Sequence, residues 1–151
     1  MTELIRTINE IVKYGLQPNL SITDKEILLK VALEKICDLF FRIEYEFDET
    51  EYIDFNRAKL PNIRTNVESN FNNFGFYKLV DDTNSIGNLK DDLLGDAVDD
   101  LTDIIIDLLE IKWRIETNSL ADGLWYFQFV FQTHTQQHII DLLNFMKQKN
   151  S

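Results

Sequence analysis

The chain has only two histidines, His134 and His138, four residues apart. On an α-helix that spacing puts both imidazoles on one face, a geometry with which helices hold Zn or another divalent metal. A stripe of carboxylates lies upstream. If Asp92 to Glu110 form one helix, Asp96, Asp100, Asp103, Asp107 and Glu110 share a narrow face, with Asp92 and Asp99 beside it. Carboxylates meeting imidazoles make a mixed nitrogen and oxygen set suited to Zn, Mn or Fe. The set best placed for a metal is His134, His138, Asp100 and Asp103. A bound Zn or Mn with an open position could turn water into hydroxide for hydrolysis, with a remaining Asp as base. The commoner use of these residue types is structural: an Asp orients a His ring and satisfies its N–H. The leading expectation is therefore no cofactor and no catalytic residue, with a divalent metal as the rival.

Two helices must bring these residues together. Ala97, Leu101, Ile104, Ile105, Leu108 and Ile115 form the apolar face of the acidic arm. Leu124, Phe127, Phe131, His134, His138, Leu142 and Phe145 share one stripe of the second arm, which places both histidines on its core side. Asn118-Ser119 reads as the turn, with Ser119 as N-cap and Asp122 three residues on. Folding the arms about position 119 brings His138 level with Asp100, and His134 level with Ile104 between Asp100 and Asp107, because both helices rise ~1.5 Å per residue.

Other catalytic constellations are missing. The chain has no Gly-x-Gly-x-x-Gly or Walker-type loop, and five glycines leave little room for a phosphate cradle. No serine or cysteine lies near the histidines in the hairpin to start a nucleophilic triad. The Glu-x-x-His pair that a di-iron bundle places on each of two helices is absent.

The rest of the chain reads as helical scaffold. Leu4, Ile5, Ile8, Ile11 and Val12 predict a first helix. Thr23 and Glu26 offer a capping box for a second, with Leu28, Val31, Ala32, Ile36, Leu39, Phe40, Ile43 and Phe47 facing inward. The acidic run Asp48-Glu-Thr-Glu reads as a solvated loop or short turn. Pro61 suits the start of a third helix lined by Ile63, Val67, Asn70, Phe71 and Phe74. Phe76 to Val80 reads as an extended segment packed on the bundle, for want of a partner strand, and residues 81–88 as a turn-rich linker. The fold expected is all-α: a single domain over 1–151, an up-and-down bundle of about five helices with the C-terminal hairpin at its centre.

Composition narrows the partners. With 26 acidic and 15 basic residues the net charge is −11, which repels a phosphate backbone and leaves nucleic acid a poor partner. A basic surface would be attracted. One cysteine, Cys37, allows no internal disulfide and fits a reducing compartment as a buried thiol. No basic n-region with an apolar h-region opens the chain, and the apolar runs are too short for a bilayer. The expected location is the cytoplasm, away from membranes. In the run Trp125 to Phe131, Phe127 and Phe129 point to opposite faces, so one of them is free to meet solvent or a second subunit.

The C-terminal half resembles a bacterial family of uncharacterised proteins, a domain of unknown function. The likeness rests on Asp99-Asp100-Leu101, Asp103-Ile104 and Asp107-Leu108 in one helix. Trp125, Phe131, His134 and His138 carry it in the next, with Phe76-Tyr77 at the entry. Phe127, Gln128 and Thr135-Gln136 depart from the family pattern, which has Trp, Arg and Trp-Gly there. The resemblance implies an all-helical fold and no known activity. It implies a polar or ligand site drawn from Asp99, Asp100, Asp103, Asp107, His134 and His138, with Trp125 and Tyr77 beside it. The functional expectation is a non-enzymatic interaction or structural module, with a protein partner or a second copy of itself. The alternative is a metal-binding protein, a metal-dependent hydrolase in its fullest form.

Overall fold

The computed structural model describes residues 1–79, 84 and 93–150. It is an all-α bundle carrying one small two-stranded sheet. Apart from Asn84, the linker expected at 81–88 lies outside the described residues, as does Asp92. The elements are α1 (Thr2–Leu16), α2 (Lys25–Arg42), a short 3-10 turn (Arg57–Lys59), α3 (Ile63–Asn70), strands β1 (Phe76–Leu79) and β2 (Leu93–Asp96), α4 (Ala97–Trp113), a π turn (Arg114–Asn118), α5 (Leu120–Val130), a second π turn (Phe131–Thr135) and α6 (Gln136–Lys149). The second π turn joins α5 to α6 without a break, so the described residues form five helical rods.

The core forms where apolar faces meet around α4, which packs on α1, α3, α5 and α6. Leu101, Ile104, Ile105 and Leu108 of α4 are fully buried beside Leu4, Ile8 and Ile11 of α1 and Phe127, Phe131, Ile139 and Leu142 of the C-terminal rod. At ~25 cal/mol per Å2 of apolar surface, this layer supplies most of the drive to fold. Among the described residues, no helix is long and apolar enough to cross a membrane.

Several local expectations change. α2 starts at Lys25 behind Asp24, whose left-handed backbone (φ 59°) leaves no side-chain cap, so Thr23 is not the N-cap. Its inward face is Leu29, Ala32, Leu33, Ile36 and Leu39. Leu28 and Val31 point outward, one residue off that stripe, and the helix stops before Phe47, which is 63% exposed. Phe76–Leu79 does have a partner: it pairs antiparallel with Leu93–Asp96, in the register Tyr77 to Gly95. The acidic arm therefore begins as a strand and turns helical only at Ala97, where the Asp96 carboxylate accepts the Val98 N–H at 3.0 Å as N-cap.

Candidate metal centre

The helix α4 aims Asp100, Asp103, Asp107 and Glu110 at the C-terminal rod, at the i, i+3, i+7 spacing of one face. This stripe is not a solvated one. Asp100, Asp107 and Glu110 are 6%, 1% and 6% exposed. Carboxylates that deep need partners, and each has several.

The histidines come from the π turn and the first turn of α6. The π turn adds a residue to the helical repeat, so the buried stripe passes from Phe131 to Thr135, Ile139, Leu142 and Met146. His134 and His138 are thereby moved off the core, where the sequence placed them, to the rim facing α4. Their side chains are 46% and 23% exposed.

At that rim each ring is clamped from behind. Nδ1 of His134 lies 2.8 Å from Asp107 Oδ2, and Nδ1 of His138 lies 2.8 Å from Asp100 Oδ1. Asp107 also accepts the Thr135 hydroxyl at 2.7 Å and an Arg57 N–H at 3.0 Å. Asp100 accepts the Tyr77 hydroxyl on its other oxygen. Burial, and then the Asp100 carboxylate, push the Tyr77 phenol far above its usual range, so it remains a donor. Gly95 makes this possible: its Cβ position is filled by the Tyr77 ring, which crosses the strand pair there.

The two Nε2 atoms then face each other across 3.2 Å, and Asp103 Oδ2 stands 3.5 Å from His138 Nε2. A carboxylate only accepts, so both Nδ1 atoms carry hydrogen and a neutral ring has its lone pair on Nε2. Two lone pairs aimed at one another repel unless a cation lies between them. Burial pushes the Asp103 carboxyl up, with Asp99 and Asp107 adding repulsion against the pull of the histidines. A cation at the same point relieves that as well.

The spacing fits a metal. With Zn–N bonds of ~2.0–2.1 Å at a tetrahedral angle, two imidazole nitrogens stand ~3.3 Å apart. Ligand atoms of Asp103, His134 and His138 all lie within 4.8 Å of one another. Those three side chains could supply three ligands to an ion and leave a fourth direction, the pattern of an open rather than a closed Zn site. Asp100 and Asp107 behind the rings make carboxylate–histidine contacts of the kind that fix tautomer and orientation where a histidine binds a metal. Asp100, which the sequence reading put among the metal ligands, has its two oxygens turned to His138 and Tyr77, and it stands outside the Asp103–His134–His138 cluster.

Behind the centre lies a chain of ion pairs that sequence reasoning missed. Arg57, from the segment before α3, bridges Asp107 and Glu110, with nitrogens 3.0 and 2.8 Å from them, and donates to the Tyr126 hydroxyl at 2.9 Å. Arg114 grips Glu110 at 3.0 and 3.1 Å, reaches Asp122 at 3.2 Å and lies 4.2 Å from the centre of the Tyr126 ring. Burial and Glu110 together push the Tyr126 phenol up to about 12. Nothing in the spacing of Arg57, fifty residues before Asp107, signals the contact. The Thr135 contact was hidden by the π turn.

Two candidates stand elsewhere. Asp99 is one residue, and so 100°, off the stripe, and its exposed carboxylate pairs with Arg64 at 3.0 Å. Trp125 stacks on Phe129 at 5.6 Å and meets Phe47 at 5.5 Å on another face of α5. Comparison of the chain with models of known protein families, with curated proteins and with solved structures gave no match.

Proposed function

We propose that this chain is a divalent-metal-binding protein in which His134, His138 and Asp103 hold the ion, with Zn the best match. One observation carries the reading: the two Nε2 atoms, on rings whose Nδ1 atoms each face a buried carboxylate at 2.8 Å, are held 3.2 Å apart. Two nitrogens and one carboxylate suit Zn better than Mn, which favours oxygen-rich sets. The fourth position opens to solvent beside the exposed His134, so water is its natural occupant. A metal there would lower the pKa of that water towards ~7 and supply hydrolytic chemistry.

Calorimetric titration of Zn and of Mn into chelator-washed protein tests this. The expected result is one site per chain, tighter for Zn, abolished by His134→Ala or His138→Ala and unchanged by Asp99→Asn. Absence of heat or of any shift in melting temperature with either ion would sink it.

The same 3.2 Å contact between the two Nε2 atoms suits a second occupant, a proton. The hydrogen bond to Asp100 raises the His138 pKa against the opposing effect of burial, with Asp103 and Asp107 also helping. A proton shared between the Nε2 atoms would hold the same geometry as a structural network. In that reading stability is indifferent to Zn and to chelator.

A further inference from the structure

The segment between α2 and the 3-10 turn, residues 43–56, is a strap with neither helix nor strand. It carries Glu44, Glu46, Asp48, Glu49, Glu51 and Asp54 and not one basic residue. Among the described residues only Asp48 of these is engaged, as the clasp: it accepts from Tyr52 and Ser119 at 2.6 Å and from the Thr50 N–H at 3.0 Å. The other five carboxylates make no ion pair with any described residue, and the nearest arginines are committed elsewhere, Arg42 to Asp38 and Arg57 to Asp107 and Glu110.

Large apolar side chains stand exposed among those charges. Phe47 is 63% exposed, Ile53 84%, Tyr45 49%, Phe41 at the end of α2 74%, and Phe129 of α5 52%. Phe47, Trp125 and Phe129 form a continuous aromatic ladder. Between Glu44 and Phe55 the strap backbone makes no hydrogen bond to other backbone among the described residues. Solvation accounts for carboxylates; it does not account for five large apolar groups left in water beside them.

We propose that the strap, with Phe41 and Phe129, is a docking surface for a protein segment rich in Lys and Arg that also carries large apolar side chains. The charge selects the occupant. A second copy of this chain, at net charge −11, would bring five bare carboxylates against five more. A basic segment pairs with them, buries its apolar groups on the aromatic ladder, and meets free backbone donors and acceptors in the manner of strand addition. None of the side chains offered for docking belongs to the Asp103–His134–His138 cluster.

Fluorescence anisotropy with two labelled 14-residue peptides, one alternating Lys and Leu and one alternating Lys and Ser, tests this on the full chain with chelator present. The expected result is binding of the Lys/Leu peptide at least tenfold tighter than the Lys/Ser peptide, weakened tenfold or more between 50 and 300 mM salt. Phe47→Ser with Ile53→Ser should remove the preference for Leu. Glu44→Gln, Glu49→Gln and Glu51→Gln together should weaken both peptides. All these residues are exposed, so melting temperature should hold and rule out misfolding. Glu10→Gln with Glu34→Gln, away from the strap, should change neither peptide's Kd by more than twofold, and His134→Ala should leave peptide binding intact. Equal affinity for the two peptides, or equal loss from the strap and control variants, overturns the proposal as mere attraction to an acidic protein. Self-association in sedimentation that Phe47→Ser abolishes overturns it in favour of a second copy.

Discussion

Asp107 shows at the scale of one residue why the site has to be satisfied as a whole. At 1% exposure it is the least accessible charged side chain among the described residues, and it accepts from His134, Thr135 and Arg57 at once. Asp107→Asn keeps the shape, removes the charge and sets an amide N–H2 against one of those donors. The expected loss is roughly 2–4 kcal/mol in urea unfolding; a loss under about 0.5 kcal/mol would mean that the contacts are incidental. Spacing alone made part of this legible. Rise per residue puts His138 beside Asp100, and the structure has them 2.8 Å apart. Arg57 was not legible, because its contact depends on how a strap with no repeating structure crosses the bundle.

At the scale of elements, the hairpin of α4 and α5 is closed by Ser119 and Gly123. The Ser119 hydroxyl accepts the Asp122 N–H at 3.0 Å, a cap that Ser-x-x-Asp announces in sequence. Gly123 lies against the turn: a Cβ there would sit 2.8 Å from the Ile115 backbone nitrogen. Gly→Ala inside a helix ordinarily stabilises by about 1 kcal/mol. Here Gly123→Ala is expected to destabilise by roughly 1–3 kcal/mol, and thermal unfolding of that variant shows which sign wins. The strand pair and the π turn escaped the sequence for different reasons. Leu93–Asp96 has the same apolar and acidic alphabet as the helix it leads into, and its partner lies across a linker. The π turn has no residue signature, yet it exchanges His134 for Thr135 on the buried face.

At the scale of the molecule, the all-α class was readable because helical periodicity runs through most of the chain, and α4 sits at its centre. What the periodicity concealed is that an acidic face can be the buried one when another element supplies the partners. A net charge of −11 adds to the case for a bound cation. With Zn at about 100 times its Kd, linkage adds ~2.7 kcal/mol, which for a chain this size raises Tm by roughly 5–10 °C. The pH dependence should have opposite signs with and without metal. In metal-free protein the folded pKa of His138 is raised above its ordinary 6.5. Its stabilisation is then fully present below that value and lost as pH rises through the raised one. Metal needs both rings deprotonated, so the Zn-induced gain in Tm should grow over the same range. Melting curves from pH 5.5 to 8.5, with chelator and with Zn, give both slopes; parallel curves contradict the account.

Anomalous diffraction at the zinc edge, from crystals grown with one equivalent of Zn and no affinity tag, reaches the central claim most directly. A single peak is expected ~2.0–2.2 Å from Nε2 of His134, Nε2 of His138 and a carboxylate oxygen of Asp103, with Asp100 and Asp107 still on the two Nδ1 atoms. No peak there, with the two Nε2 atoms still in contact, would contradict it and leave a shared proton as the occupant.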